Sequence, residues 1–145
     1  MRFLPHVTVA TIIEDQGRFL LVKELINGRE VFNQPAGHLE ANESLIQASI
    51  RETMEETGWE VKPFAVTGIY LYTAPANAVT YQRVCFAAKP IKHHTDATLD
   101  AGILGPHWCT REELLSLEAQ WRSPMVLQCI DDYLNKPHYN LDVLR

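Results

Sequence analysis

The sequence predicts an α+β fold in which helices pack against a β-sheet. Runs of apolar and β-branched residues end at turn-forming residues, and they are interrupted by segments that carry helix-capping residues. The connections between these segments are long. At 145 residues the chain fits one domain, long enough to bury roughly two-thirds of its unfolded surface. We therefore predict a single domain over residues 1–145.

The first strands form a hairpin. Residues 6–13 are apolar and rich in β-branched side chains, residues 14–17 (EDQG) make a turn, and residues 18–23 supply the second strand. Asn27-Gly28 marks a second tight reversal. Residues 31–34 then lead into the segment QPAG at residues 34–37, whose proline and glycine predict a turn.

A helix follows this turn. Residues 44–57 contain neither Gly nor Pro, and either Asn42 or Ser44 can serve as the N-cap. Gly58 suits the position just beyond the last helical residue. We predict a helix from about Ser44 to Thr57, with one face packed against the rest of the domain.

The second half of the chain contains three more strands and two helices. Residues 66–72 and 81–88 are predicted strands, residues 89–106 a long loop, and residues 107–109 a short strand. The T-x-x-E pattern at Thr110 opens a helix to about Leu117. The last helix covers residues 124–134, with Ser123 as its N-cap and the proline in the first turn.

Three glutamates share one sector of the first predicted helix. At about 100° per residue, Glu52, Glu55 and Glu56 lie within about 100° of one another. Like charges at this spacing repel, so a bound cation would stabilise the arrangement. Carboxylate oxygens favour Mg²⁺, which in active sites keeps part of its shell for water and substrate phosphates. The alternative for an isolated E-x-x-E-E is a solvated acidic face.

The residues around these glutamates form a longer pattern. Residues 37–59 read G-x5-E-x7-R-E-T-x-E-E-x-G-W without a gap. Its seven most informative positions are Gly37, Glu43, Arg51, Glu52, Glu55, Glu56 and Gly58. Such a set recurs by accident at on the order of 10⁻⁹ per window. The pattern resembles the Nudix box of the Nudix hydrolases, which typically use Mg²⁺ to hydrolyse compounds with a pyrophosphate core.

The resemblance implies a fold and a set of roles. The implied fold is a mixed sheet sandwiched between helices, with a loop-helix-loop motif. Glu55 and Glu56 would be the main metal ligands, Glu52 a further ligand or the general base, and the Gly37 carbonyl another oxygen donor. Arg51 and Glu43 would support them. Mg²⁺ is the expected cofactor, with Mn²⁺ as a substitute.

Other segments resemble one branch of the family, the NudJ-type phosphatases. They are PHVTVA at residues 5–10, the turn at 26–28, NQPAGHLEA at 33–41, Trp108 before a capped helix, and residues 122–124. The branch implies release of phosphate from nucleoside tri- and diphosphates and from thiamine-pathway pyrophosphates. We could not match residues 89–106 to the branch.

Several residues outside the box are candidate substrate contacts. Phe32, Asn33 and Gln34 lead directly into the box. Chain continuity therefore places them beside the predicted helix that carries the glutamates. Arg122 could bind a terminal phosphate, although a surface arginine beside an N-cap is the plainer interpretation. Asp100 is the best of several loop acids for an additional metal ligand or a distal base.

Composition excludes some classes of partner. A net charge of -5 argues against binding along a nucleic-acid polymer, which relies on clustered Lys and Arg. No apolar run approaches the length of a membrane span, and the first residues lack the pattern of a secretory signal. We expect a cytoplasmic protein without a membrane partner. Cys85, Cys109 and Cys129 are widely spaced, which indicates buried, reduced thiols.

Two other functions stay open. The box positions metal ions, whereas other loops decide the substrate, so the pattern is also consistent with cleavage of ADP-ribose or another nucleoside-diphosphate sugar, or with hydrolysis of oxidised nucleotides. A ligand-sensing module without turnover is the non-enzymatic alternative, although every charged box position is present. We expect a small nucleotide or pyrophosphate substrate and a monomer, with a homodimer as the alternative.

Overall fold

The computed structural model describes residues 1–145 and contains seven strands and three α-helices. The strands are β1 (His6–Asp15), β2 (Arg18–Ile26), β3 (Arg29–Asn33), β4 (Ala36–His38), β5 (Trp59–Thr73), β6 (Thr80–His93) and β7 (Ile103–Cys109). The helices are α1 (Leu45–Thr57), α2 (Arg111–Leu115) and α3 (Met125–Asn135). Two short 3-10 turns, Glu118–Gln120 and Leu141–Val143, complete the chain.

The strands form one mixed sheet, which confirms the predicted class. Its order is β3-β2-β1-β6-β5, with β4 paired to β1 and β7 paired to β2. The β1–β6 pair is parallel, and the other pairs are antiparallel. The long connection from β1 to β6 therefore brings the middle of the chain back beside its first strand.

Alternate side chains of the central strands point to opposite faces, and each face is covered by helices. On one face, Val9 and Phe86 pack with Ala48 of α1. On the other, Ala10 belongs to a larger cluster that includes Val126, Cys129 and Ile130 of α3 and Leu114 of α2. The sheet thus lies between α1 and the α2–α3 pair.

The N-terminal hairpins form where the sequence predicts them. Both turns, Gln16-Gly17 and Asn27-Gly28, place their two central residues at positive φ, between 51° and 78°, as two-residue hairpin turns require. The strands extend beyond the predicted ends. The predicted turn at residues 34–37 is only partly correct, because Ala36–His38 forms β4 along the edge of β1.

The predicted loop at residues 89–106 is wrong over much of its length. β6 continues through Pro90 to His93, and β7 begins at Ile103. β5 also begins seven residues earlier than predicted, at Trp59. Prolines weaken the strand signal here, yet pairing between β5 and β6 accommodates Pro63 and Pro90 with register shifts. The connection between β6 and β7 therefore covers residues 94–102 and is shorter than the predicted loop.

The predicted helices are present, with small changes at their ends. Thr110 and Glu113 form the predicted capping box, and α2 ends at Leu115, two residues early. α3 begins at Met125, and its N-cap is Pro124 rather than the predicted Ser123, because Pro124 lies outside the helix. The Ser123 hydroxyl still accepts from the Met125 N–H at 3.2 Å. No helix of the structure is both long enough and apolar enough to cross a membrane.

Candidate active site

Helix α1 is fixed at both ends and along one face. The Ser44 side chain accepts from the Gln47 N–H at 3.0 Å while the Gln47 side chain accepts from the Ser44 N–H at 2.8 Å. Gly58, at φ 74°, closes the C-terminus. The small residue Ser49 is fully buried and bonds Thr11 of β1 through its hydroxyl at 2.6 Å. These contacts fix the helical edge that carries the glutamates.

Two glutamates of α1 meet an aspartate from the β6–β7 connection. Oxygens of Glu52, Glu55 and Asp100 lie within 4.8 Å of one another. The Asp100 N–H donates to the Glu55 carbonyl at 3.0 Å, which ties the connection to the helix. Burial raises the pKa of Glu52, and its bond with Arg51 opposes that shift. The group therefore contains two of the three glutamates that the sequence placed on one sector of the helix, together with Asp100.

Glu56 is not part of this group of three carboxylates. It is buried, and its Oε1 accepts from the Ala36 N–H of β4 at 2.8 Å. Burial raises the pKa of Glu56 to about 9, and nearby carboxylates, Glu24 first among them, add to the rise. This electrostatic environment favours a positive charge beside the carboxylates.

Arg51 connects the carboxylates of the box. Its guanidinium donates to both oxygens of Glu43, at 2.9 and 2.6 Å, and to Glu52 and Glu55 at 2.8 and 3.1 Å. It also donates to the His38 carbonyl at 3.1 Å. The hydrogen bond to Arg51 lowers the pKa of Glu43, and the same bond raises that of Arg51. Glu43 and Arg51 thus hold the glutamates in place from the side.

A cavity of about 760 Å³ adjoins the carboxylates. Gly37, Glu56 and Asp100 line it, and so do two arginines, Arg83 and Arg122. Apolar and aromatic side chains in the same lining include Leu25, Ile26, Tyr72, Pro75 and Tyr81. A cavity of this size, with a few charged groups among apolar ones, can hold a small organic molecule.

The candidate contacts outside the box lie in different environments. Asn33 lines the cavity. Phe32 and Gln34, at 3% and 1% exposure, are buried in the protein and do not line it. Arg122 lines the cavity, but its guanidinium pairs with the buried carboxylate of Glu24 at 2.7 Å. Asp100 lines the cavity and also belongs to the group of carboxylates that it forms with Glu52 and Glu55, hereafter the acidic group.

Sequence reasoning missed two charged residues of this cavity. Glu24 is 8% exposed in β2, and Arg83 is 9% exposed in β6. Each is a charged residue inside a strand whose other central residues are largely apolar. That contrast was the one available signal, because the pairing that brings these strands to the box is long-range.

The donor set fits a divalent cation. Carboxylate oxygens are hard ligands that suit Mg²⁺, Ca²⁺ and Mn²⁺. Three of them converge at Glu52, Glu55 and Asp100, and the buried Glu56 carboxyl lies on the same helix. Arg51 neutralises only part of this charge, because it also binds Glu43.

The fold and the acidic site together define a hydrolase of the Nudix family. The profile of the NUDIX domain matches residues 2–129, and the chain belongs to this family. Nudix hydrolases generally use divalent metals and act on small nucleotide or pyrophosphate substrates.

Curated and solved relatives support the assignment. The chain is 37% identical to "Phosphatase NudJ" of Escherichia coli strain K12 over 142 residues, which cover 98% of this chain and 92% of the relative. A NUDIX hydrolase from Nitrosomonas europaea superimposes with a TM-score of 0.96 at 43% identity, covering 98% of this chain and 97% of the other. An ADP-ribose pyrophosphatase from Streptococcus suis shares the fold, with a TM-score of 0.70 at 16% identity and coverage of 94% and 97%.

Proposed function

We propose that this protein releases orthophosphate from nucleoside tri- and diphosphates and from thiamine-pathway pyrophosphates, with Mg²⁺ as its cofactor. The observation that carries the proposal is the 37% identity to the phosphatase NudJ over 98% of the chain. The site is compatible with it, because the acidic group adjoins a cavity large enough for a nucleotide. We further propose that residues 1–145 act as one domain and as a monomer.

The residues that would hold Mg²⁺ are Glu52, Glu55 and Glu56 with the Gly37 carbonyl, and Asp100 is a further candidate from its place in the acidic group. A bound divalent ion supplies charge neutralisation at phosphoryl oxygens and lowers the pKa of water. Mn²⁺ shares the preference for oxygen ligands and would substitute.

The side chains of the site would orient and exchange protons. Arg51 and Glu43 fix the positions of Glu52 and Glu55 through the hydrogen bonds described above. Glu52 would act either as a ligand or as the general base that accepts a proton from the attacking water. A lost general base costs about 10²-fold or more in turnover. Glu52→Gln that retains turnover at saturating Mg²⁺ removes Glu52 from the base role.

The substrate assignment is tested by the products. Phosphorus NMR would follow GTP, GDP, thiamine pyrophosphate and ADP-ribose with Mg²⁺, for the native chain and for Glu55→Gln. We expect orthophosphate from the first three and its loss in the variant. Pyrophosphate release from GTP would indicate attack elsewhere on the phosphate chain. Cleavage of ADP-ribose to AMP and ribose phosphate would instead identify a nucleoside-diphosphate-sugar pyrophosphatase and overturn the phosphatase assignment.

A further inference from the structure

Arg83 is a buried guanidinium that has no carboxylate partner. It lies in β6, is 9% exposed and lines the cavity. Its Nη1 donates to the Gln34 side-chain oxygen at 3.0 Å, and its Nη2 donates to the Asn33 side-chain oxygen at 3.2 Å. Nη1 also lies 3.6 Å from the Cys129 sulfur. No carboxylate lies within 4.0 Å of it.

The two other arginines that are not exposed each have a carboxylate partner, and so does the exposed Arg122 of the same cavity. Arg51 pairs with the box glutamates, Arg111 with Asp131, and Arg122 with Glu24. Burial of a charge without a counter-ion is costly, so buried charges in proteins are normally paired. Arg83 departs from that rule, and it does so on the wall of the cavity beside the acidic group.

The surrounding amides fix the guanidinium and leave part of it free. The Gln34 amide nitrogen donates to the Val126 carbonyl at 2.6 Å, which sets the orientation of its oxygen toward Arg83. A guanidinium has five N–H groups, and the three contacts of Arg83 use protons of Nη1 and Nη2 only. The Nε proton and one Nη2 proton have no partner in the protein. Nε and Nη2 are neighbouring nitrogens of the guanidinium, and such a pair of nitrogens can bind two oxygens of one phosphate group.

We infer that Arg83 binds the phosphate chain of the substrate, through two oxygens of one phosphoryl group, and thereby contributes to the selection of phosphorylated ligands. The inference rests on the proposed function for the identity of the ligand as a nucleotide or other organic diphosphate. Arg83 and the carboxylates Glu56 and Asp100 line one cavity, so one phosphate chain can be held between the guanidinium and the cation site. Arg122 does not serve equally well, because Glu24 already neutralises its charge.

Cys129 is the other group that could carry a negative charge at Arg83. A hydrogen bond from Cys85, together with the charge of Arg83, lowers the pKa of Cys129 to about 7. If a thiolate were the counter-ion of Arg83, Cys129→Ser would remove the charge that neutralises the guanidinium and would strengthen the binding of phosphorylated ligands, opposite to the effect of Arg83→Gln. We expect Cys129→Ser to leave the affinity for phosphorylated ligands within about twofold of the native value, since a hydroxyl keeps the weak contact.

The test measures binding without turnover, by calorimetry at saturating Mg²⁺. The probes are methylenediphosphonate, which contains only the phosphate-like part, and α,β-methylene guanosine diphosphate. In Arg83→Gln we expect both dissociation constants to rise by a similar factor, about 10-fold or more. Arg83→Lys keeps the positive charge but not the paired N–H donors of the guanidinium, so it should recover part of the lost affinity. Arg29→Gln, an exposed arginine outside the cavity, is the matched control and should bind like the native chain.

Several outcomes would overturn the inference. They are unchanged affinity for both probes in Arg83→Gln, a loss confined to the nucleotide analogue, clearly tighter binding of both probes in Cys129→Ser, or a loss of Mn²⁺ binding to the acidic group in Arg83→Gln. The unfolding temperature of each variant separates a folding defect from a binding defect, and Arg83→Lys keeps the test valid if the Gln variant is unstable. Absence of orthophosphate release by the native chain would refute the proposed function alone, because the binding measurements do not depend on turnover.

Discussion

Gly37 lies directly against the carboxylate of Glu52. A Cβ at position 37 would overlap all three atoms of that carboxylate group. The backbone of Gly37 is not in the left-handed region, so glycine is needed here for the close approach rather than for its conformational freedom. The position of Glu52 therefore depends on a residue fifteen positions earlier that has no side chain.

Gly37→Ala should displace the Glu52 carboxylate without unfolding the protein. The overlapping atoms are the end of a flexible side chain, which can rotate away at small cost in stability. The displaced carboxylate would leave the group it forms with Glu55 and Asp100. We expect Mn²⁺ affinity to fall by about 10-fold or more, with turnover falling too. Electron paramagnetic resonance titration measures the Mn²⁺ affinity. Thermal unfolding shows separately that the protein keeps its stability.

The control for this prediction is a double-mutant cycle with Glu52→Ala. In the Glu52→Ala variant, the carboxylate that would collide with a Cβ at position 37 is absent. The second substitution, Gly37→Ala, should then have no additional effect on Mn²⁺ affinity. An equally large effect in both backgrounds would show that Gly37 acts through its own backbone rather than through Glu52.

The sequence predicts the parts of this site that are local along the chain. The caps of α1 at Ser44 and Gly58 are encoded within a few residues of the helix ends, and the structure has both. The hairpin turns at Gln16-Gly17 and Asn27-Gly28 are encoded in the same way. Short-range capping and turn geometry depend on residue type at fixed offsets, which is why these features can be predicted.

Features that depend on long-range pairing could not be predicted in this way. Asp100 reaches α1 only because the extended β5–β6 pair shortens the following connection and a backbone bond joins Asp100 to Glu55. Arg83 reaches Asn33 and Gln34 because β6 pairs with β1 in parallel register, Thr8 opposite Arg83. Nothing in the local sequence fixes that register. Helical periodicity places Glu56 beside Glu52, but the burial of Glu56 could not be predicted, because it accompanies a hydrogen bond from the Ala36 N–H of β4.

Asp100→Asn should weaken divalent-cation binding. The Asp100 carboxylate is one of three that converge, and an amide offers one neutral oxygen in place of a charged group. We expect Mn²⁺ affinity to fall by at least roughly 10-fold. Asp96→Asn is the matched control, because Asp96 is an exposed aspartate of the same connection, as Asp100 is, but lies outside the acidic group. Equal affinities in the two variants would remove Asp100 from the site.

Arg51→Lys should lower both stability and turnover. Lysine keeps the charge but cannot reproduce the fork that binds both oxygens of Glu43 while reaching Glu52 and Glu55. Hydrogen bonds to charged groups contribute about 1.5–3 kcal/mol each, so we expect the free energy of unfolding to fall by about 2 kcal/mol. Urea unfolding measures this change. Arg111→Lys, at the more exposed pair with Asp131, should cost clearly less, and similar losses would contradict the special role of Arg51.

The three cysteines should resist thiol reagents in the folded protein. Cys85, Cys109 and Cys129 are each 0% exposed, and none forms a disulfide. Burial raises the pKa of Cys109 to about 11, which further suppresses its thiolate. The pKa of Cys129 is lowered to about 7 by the hydrogen bond from Cys85, so its protection depends on burial alone. A colorimetric thiol assay at pH 8 should therefore find almost no rapid reaction in native protein and three thiols in urea. Rapid reaction of one thiol before unfolding would show that part of the core opens locally.

Removal of divalent cations should abolish activity and lower the unfolding temperature while leaving the protein folded. Glu52, Glu55 and Asp100 repel one another without a cation, so a bound cation stabilises the folded state. At a free concentration 100 times the dissociation constant, the expected stabilisation is about 2.7 kcal/mol. Thermal unfolding of chelator-treated protein, with and without Mg²⁺, measures it. Glu55→Gln should lose most of this stabilisation, whereas Asp96→Asn should keep it. An equal Mg²⁺ effect in Glu55→Gln would place the stabilising cation elsewhere on the protein.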